Sequence, residues 1–330
     1  MEREWMRLFA AVALSVMLPQ LIVGIGSRLA AQKQPEDTVC TTASSTVMTT
    51  EPTQAAQTFL IPVLTDEGLV QMELEEYVRG VVLAEMPAYF EEEALKAQAV
   101  VARTYALRRI MTGDRHKEGA VCTESVCCQA WLSDIDYLAA RGGQADWEKI
   151  ASAVTDTAGE ILTYQGTVID ATYFSCSGGR TEDAAAVWGT DIPYLQAVDS
   201  PGEEGAGSYE KQVYFTKVQF AALLGQPLTG SPAKWLGEVT YTEGGGVATM
   251  LIGGVFYTGK ELRKLLGLNS TAFTMEPDSG GITVTTWGRG HRVGMSQYGA
   301  DAMAVTGSGY GEILAHYYRG TEIDKLIGME

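Results

Sequence analysis

LEEYVRGVVLAEMPAYFEEEALKAQAVVARTYALRRIM, residues 74–111, holds two helices and the break between them. Leu74, Tyr77, Val78, Val81 and Val82 recur at helical spacing and predict a first helix over roughly residues 74–86. Pro87 stops it, because proline disfavours helical backbone at the residue before it. Glu85 follows Val81 and Val82 at helical spacing, so it falls on the apolar stripe. Glu91, Glu92 and Glu93 suit the positive end of a helix dipole and open a second helix that continues through ALKAQAVVARTYALRRIM. A glutamate at a helix end is ordinarily solvated. On an apolar stripe it loses hydration when charged and its pKa rises. A carboxylic acid protonated near neutral pH can donate to a glycosidic oxygen.

Upstream, FLIPVLTDEGLVQMEL (59–74) reads as two short strands around a turn at Asp66-Glu67-Gly68. Downstream comes a cysteine-bearing loop, TGDRHKEGAVCTESVCCQAW (112–131), and then a third helix, ADWEKIASAVTDTAG (145–159), with Gly159 as its C-cap. Strands are expected around 160–163 and 168–174, joined by a Gln165-Gly166 turn. Two glycine-rich pieces, SCSGGRTE (175–182) and WGRGHRVGMSQYGA (287–300), punctuate the remainder. Short strands and helices such as GKELRKLLG and GEILAHYY alternate between and after them. No internal repeat is present. Helices and strands mix without a βαβ rhythm, which predicts one α+β domain with a substrate groove over residues 58–330.

The 330 residues are 46% hydrophobic and 20% charged, a globular composition with enough apolar material for a sizeable core. The net charge of −17 argues against non-specific nucleic-acid binding, which needs Lys and Arg to replace phosphate counterions. Residues 8–27, LFAAVALSVMLPQLIVGIGS, carry no charge, and about 20 apolar residues as a helix cross the hydrocarbon core. Arg28 stands where a small-residue cleavage site would follow, so a retained single-pass anchor over residues 1–30 is favoured over a cleaved signal peptide. Residues 31–57 are rich in Thr, Ser, Gln, Pro and Ala and read as a flexible stalk.

Three further groups could carry chemistry. Lys96 and Arg103 share a small, apolar helix face with Ala99 and Val100; they could receive an anionic group or support a carboxylate, or simply snorkel. His116, Cys122 and Cys128 form H-x5-C-x5-C, with Cys127 adjacent. Imidazole and thiolates are donors that zinc prefers, and three protein ligands leave a fourth position for water or substrate. A local disulfide from Cys122 to Cys127 or Cys128 is the alternative. No H-E-x-x-H is present. The glycine-rich pieces are neither G-x-S-x-G nor a P-loop. Glycines let backbone approach a ligand closely, so the two loops could line a sugar groove. Tyr173, Gln297 and Tyr298 would offer stacking and hydrogen bonds there, with Ser175, Ser177 and His291 beside them. A Ser-His or Cys-His enzyme would need Ser175, Cys176 or Ser177 near His291.

Four ordered stretches, EEYVRGVVLAEMPAYFEEEALKAQAVVARTYA, HKEGAVCTESVCCQ, ATYFSCSGGRTE and WGRGHRVGMSQYGA, together resemble the stage II sporulation protein D family. The resemblance covers about residues 59–330. It implies a membrane-anchored peptidoglycan lytic transglycosylase that acts in engulfment during endospore formation, with its catalytic domain extracytoplasmic on the mother-cell side of the septum. It also implies Glu85 as acid/base, Lys96 and Arg103 as support for substrate or acid, and His116, Cys122 and Cys128 as ligands of one zinc ion. Cys127 is an extra thiol beside that pattern. The implied partners are glycan strands stripped of stem peptides, a cell-wall amidase or endopeptidase, and an integral membrane protein of the engulfment complex. Two other functions fit the same residues: a non-catalytic, glycan-binding amidase enhancer, and a zinc or Cys-His cell-wall hydrolase.

Overall fold

A computed structural model describes residues 59–326. The expected anchor and stalk, residues 1–57, lie outside the described residues. Among the residues described, no helix is long and apolar enough to cross a membrane.

The fold is α+β and is organised around one helix. β1 (Leu60–Thr65) and β2 (Gly68–Glu73) form the expected antiparallel hairpin, and β3 (Val121–Cys122) adds to β1 in parallel. α1 spans Leu74–Glu85 and stops there because Met86 swings to extended backbone, ψ 135°, ahead of Pro87. α2 (Glu92–Thr112) is buried on nearly every face, with Leu95, Ala99, Val100, Ala102 and Ala106 fully buried. A helix buried all round sits in the centre of a core, and its buried cations need partners there. α1 packs on it, as do α4 (Gln144–Asp156) and the strand β4 (Glu160–Tyr164). Each large apolar side chain buried this way contributes about 1.5–3 kcal/mol. α3 (Asp134–Ala140), not anticipated from spacing, packs against α1 and α4.

Two local expectations are corrected. α4 ends at Asp156 and is capped by Thr157; Gly159, at φ 73°, instead turns the chain into β4. The strand expected over 168–174 is two short pieces, β5 (Thr167–Val168), paired with β4, and β6 (Tyr173–Phe174).

After β7 (Gly179–Arg180), α5 (Ala184–Trp188) and β8 (Asp199–Ser200), residues 210–287 form a subdomain with its own core. It contains β9 (Glu210–Thr216), α6 (Lys217–Leu224), β10 (Leu236–Tyr241), β11 (Val247–Ile252), β12 (Val255–Thr258), α7 (Gly259–Leu266), β13 (Phe273–Pro277) and β14 (Gly281–Trp287). Its strands pair as two antiparallel sheets, β10-β11-β12 and β13-β14-β9, around Phe215, Phe220, Trp235, Ile252 and Ile282. The chain then returns to the main body. β15 (Met295–Ser296) pairs in parallel with β6, Met295 opposite Tyr173. α8 (Gln297–Val305) and α9 (Tyr310–Tyr317) cover α2, and β16 (Glu322–Lys325) closes on β4.

Candidate active site

Glu85 is placed by two neighbouring segments. Gly80, earlier on α1, makes room for an indole: a Cβ there would lie 2.0 Å from Trp131 Nε1. Leu132 N–H donates to the Gly80 carbonyl at 3.0 Å. Residues 129–132 are thereby seated along α1, and the Ala130 N–H donates to Glu85 Oε1 at 2.9 Å. The second segment is the start of α8, where Gln297 Nε2 donates to the Glu85 backbone carbonyl at 3.4 Å. Burial raises the Glu85 pKa above the ordinary carboxylate value; the Ala130 N–H and the Tyr173 and Gln297 side chains oppose it and lose.

The carboxyl opens into a cavity of about 660 Å³. Tyr173, Ser175, His291 and Gln297 line it, as expected from sequence. The β6–β15 pair brings them together across more than a hundred residues of chain. The glycines are explained by the same junction. Gly178 and Gly288 both have positive φ, and a Cβ on either would come within 2.8 Å of the other loop's backbone. The Tyr173 hydroxyl donates to Gln129 Oε1 at 3.2 Å, tying this wall to the segment that holds Glu85. His291 is a neutral wall rather than a base. Burial, helped by the charge of Arg263, holds its pKa down at about 4, and its Nδ1 accepts the Val293 N–H at 3.2 Å.

Tyr105, Arg109, Asp170 and Trp188 also line the cavity and escaped the sequence reading, as did Arg115 and Arg289. Tyr105 and Arg109 are four residues apart on α2, and the guanidinium lies 4.6 Å from the tyrosine ring centroid. That spacing was a readable signal. Arg109 also pairs with Asp170 and Asp114. Asp170 is the one other carboxylate lining the cavity among the described residues, and it is committed to that ion pair.

Four expected site residues lie elsewhere. Lys96 is held by Glu92, Glu93 and Asp156 at 2.8, 3.2 and 3.3 Å, and does not line the cavity. Arg103 is 0% exposed; Nε and Nη2 grip both Glu75 oxygens at 2.9 and 2.6 Å, and Nη1 donates to the Glu160 carbonyl at 2.9 Å. These cations fasten α2 to its surroundings, and neither lines the Glu85 cavity. Ser177 is buried against Glu203. Tyr298 packs edge-on against Phe90, outside the cavity lining. Cys176, the thiol a Cys-His enzyme would need, is fully buried beside Glu203; burial and that carboxylate push it up to about 12. It is no nucleophile.

The cysteine loop forms a donor cluster. One donor atom each from His116, Cys122, Cys127 and Cys128 lies within 4.8 Å of all the others. Cys127, outside the expected ligand set, supplies the fourth donor, so the cluster does not present the open position anticipated from three ligands. All three of these thiols are free rather than in a disulfide. His116 Nε2 is 3.5 Å from Cys127 Sγ and 3.6 Å from Cys128 Sγ. Tetrahedral zinc with ordinary N and S bond lengths sets that edge at about 3.6 Å. The donor set and its spacing therefore fit a closed zinc site. Cys127 and Cys128 border the Glu85 cavity, two residues and one residue before Gln129.

A stage II sporulation protein family model matches residues 67–164, the stretch that holds Glu85 and the whole donor cluster. Stage II sporulation protein D of Bacillus subtilis (strain 168) is 38% identical over 326 residues, covering 95% of this chain and 93% of the relative. The chain belongs to the stage II sporulation protein D family. A second member, from Bacillus amyloliquefaciens, is 39% identical over 83% of this chain and 81% of its own length. The family places the chain in sporulation. A more distant relative, an amidase enhancer of Bacillus subtilis (strain 168), is 28% identical and matches 74% of this chain but 40% of its own length.

Proposed function

We propose that this family member is a lytic transglycosylase that cleaves the N-acetylmuramic acid–N-acetylglucosamine bond of peptide-stripped peptidoglycan and leaves 1,6-anhydro ends. One observation carries the reading: a single uncommitted carboxyl, Glu85, sits in the cavity with its pKa raised by burial, while Asp170 is tied to Arg109. Hydrolysing glycosidases use two carboxyl groups flanking the bond. A transglycosylase needs one. Protonated Glu85 donates to the bridging oxygen as the C1–O bond breaks. The muramic 6-hydroxyl attacks the oxocarbenium-like C1, and its proton returns to the Glu85 carboxylate. No water is consumed, and the acid is restored. The Ala130 N–H orients the carboxyl, and Tyr173, linked to Gln129, offers its hydroxyl from the opposite strand pair.

In this reading His116, Cys122, Cys127 and Cys128 hold one zinc ion. The ion supplies a structural cross-link at the base of the segment that aims Ala130 at Glu85, with no step of the reaction assigned to it. One zinc per chain by elemental analysis, lowered by Cys127→Ser, is the expected content. The uncharged residues 8–27 support a retained membrane anchor, with the domain acting outside the cytoplasm on the mother-cell side of the septum. A cell-wall amidase that strips the strands and an integral membrane protein of the engulfment complex are the partners this assignment requires.

The amidase-enhancer relative supports a second reading, a glycan-binding module without cleavage. Peptide-free strands incubated with wild type and Glu85→Gln, with products read by mass spectrometry, separate the two. Anhydro ends from wild type alone are expected. Reducing ends, or equal products from the variant, overturn the transglycosylase.

A further inference from the structure

The cavity is basic in an acidic chain. The protein carries a net charge of −17, yet Arg109, Arg115 and Arg289 line the cavity against Glu85 and Asp170. Arg109 is spent on Asp170 and Asp114. Arg115 and Arg289 are exposed, and neither side chain has an ion pair or hydrogen bond among the described residues. The same sign continues past the Trp188–His291 wall. Lys260 Nζ donates to the Val187 carbonyl at 2.6 Å, which docks α7 beside Trp188. Lys260 occupies the first turn of α7, where a helix dipole disfavours a cation, so helix stability does not account for its place. Arg263, half-buried and without a carboxylate partner, projects its charge as far as His291. With Lys260 and Lys264 it lines a second cavity of about 480 Å³ that has no acidic residue in its walls.

A peptidoglycan strand alternates N-acetylglucosamine with N-acetylmuramic acid. When the stem peptide is attached, the lactyl carboxyl of the muramic residue is an uncharged amide. When the peptide is gone, each disaccharide carries a carboxylate, and the strand is a polyanion. A chain of strong negative net charge repels such a polymer unless cations are concentrated where it must lie. Screening over about 8 Å at physiological salt makes those local cations decisive over distant acidic residues.

We propose that Arg115 and Arg289 in the cavity, with Arg263 and Lys264 beside it on α7, form a cationic lane that binds the lactyl carboxylates of a peptide-free strand and holds it in register over Glu85. The lane rests on the glycan reading of the cavity given above. It gives the subdomain of residues 210–287 a task, since α7 carries the outer half. It also makes stripping of the strand a charge requirement. Guanidinium binds carboxylate in bidentate fashion, and a muramic amide leaves it unpaired.

The test is binding without turnover. Full-length protein carrying Glu85→Gln is titrated with peptide-free strands and with the same strands after their carboxyl groups are reduced to alcohols. The native strands are expected to bind more tightly, with affinity falling steeply with salt. Adding Arg115→Gln and Arg289→Gln weakens that binding about tenfold, as expected for losing charged hydrogen bonds. Adding Arg263→Gln and Lys264→Gln weakens it by a smaller factor. Neither pair changes binding of the reduced strands, and Lys211→Gln, on exposed β9, changes nothing. Equal losses on native and reduced strands, or no loss on either, overturn the lane. Product analysis of the wild type separates this from the activity. Anhydro ends with unaltered affinities sink the lane alone. Charge-dependent binding without anhydro ends upholds the lane and sinks the transglycosylase.

Discussion

Glu85 and Glu203 are both sheltered carboxylates beside the same glycine-rich motifs, and the chain treats them in opposite ways. Glu203 is 1% exposed and fully provided for. Its Oε2 accepts the N–H groups of Ser177 and Gly178 at 2.7 and 3.0 Å and the Cys176 thiol at 3.1 Å; its Oε1 accepts the hydroxyls of Ser177 and Ser200 at 2.9 and 2.6 Å. Glu85 has one backbone donor and an open cavity in front of it. A carboxylate surrounded by donors organises the loop around it. A carboxyl deprived of water and given too few donors is left ready to exchange a proton.

Substitutions at the two sites should break apart along that line. Glu85→Gln is expected to lower the rate of anhydro-end formation about 10³-fold, the scale of a lost general acid/base, while the protein stays folded. Glu203→Ala is expected to do the reverse. It strands the buried N–H groups of Ser177 and Gly178 and should lower the unfolding free energy by about 3 kcal/mol in denaturant titration, with the folded fraction still able to cleave. Gly80→Ala tests what aims Glu85. The added Cβ collides with Trp131, shifts residues 129–132 and takes the Ala130 N–H off the carboxylate. About a tenfold loss of turnover is expected. Because that N–H favours the charged form, the alkaline limb of the pH–rate profile should move upward; an unmoved limb would show that Ala130 does not tune the acid.

The smallest effect concerns stability and pH. The folded-state pKa of Glu85 is raised, so as pH climbs the unfolded chain gives up this proton first. Stability at this site is therefore fully present below the ordinary carboxylate value and is lost as pH rises toward the folded pKa. Glu85→Gln removes that loss. Its melting temperature should slightly exceed that of wild type at pH 7 and match it near pH 4. Equal melting temperatures at both pH values would mean that burial of Glu85 carries no cost.

How much could be read from the chain alone follows the range of each interaction. Helical periodicity is local, so α1, α2 and the place of Glu85 on the buried stripe were legible. The same spacing put Lys96 and Arg103 on one face but was silent about their partners. Glu75 comes from the start of α1 and Asp156 from the end of α4, and only tertiary packing brings them to α2. Spacing selected two of three clustered cysteines; the loop bends all three toward His116. Gly80 gave no local signal of its role, because the indole that fills its notch comes from Trp131, far along the chain. The subdomain of 210–287 went unnoticed as a separate body because no linker composition marks its ends. Its entry at β9 and exit at β14 are adjacent strands of one sheet.

That late return of the chain sets the order in which the cavity is built. α1 and α2 are synthesised early, but the wall carrying His291 and Gln297 arrives only after the subdomain has been made. Until β15 joins β6, the cavity in front of Glu85 lacks the wall that Arg289, Gly290, His291 and Gln297 supply. The closed cavity in front of Glu85 is thus among the last features the chain acquires. A chain clipped before β15 would carry the glutamate without that wall, and under the proposed transglycosylase reading it would not cleave.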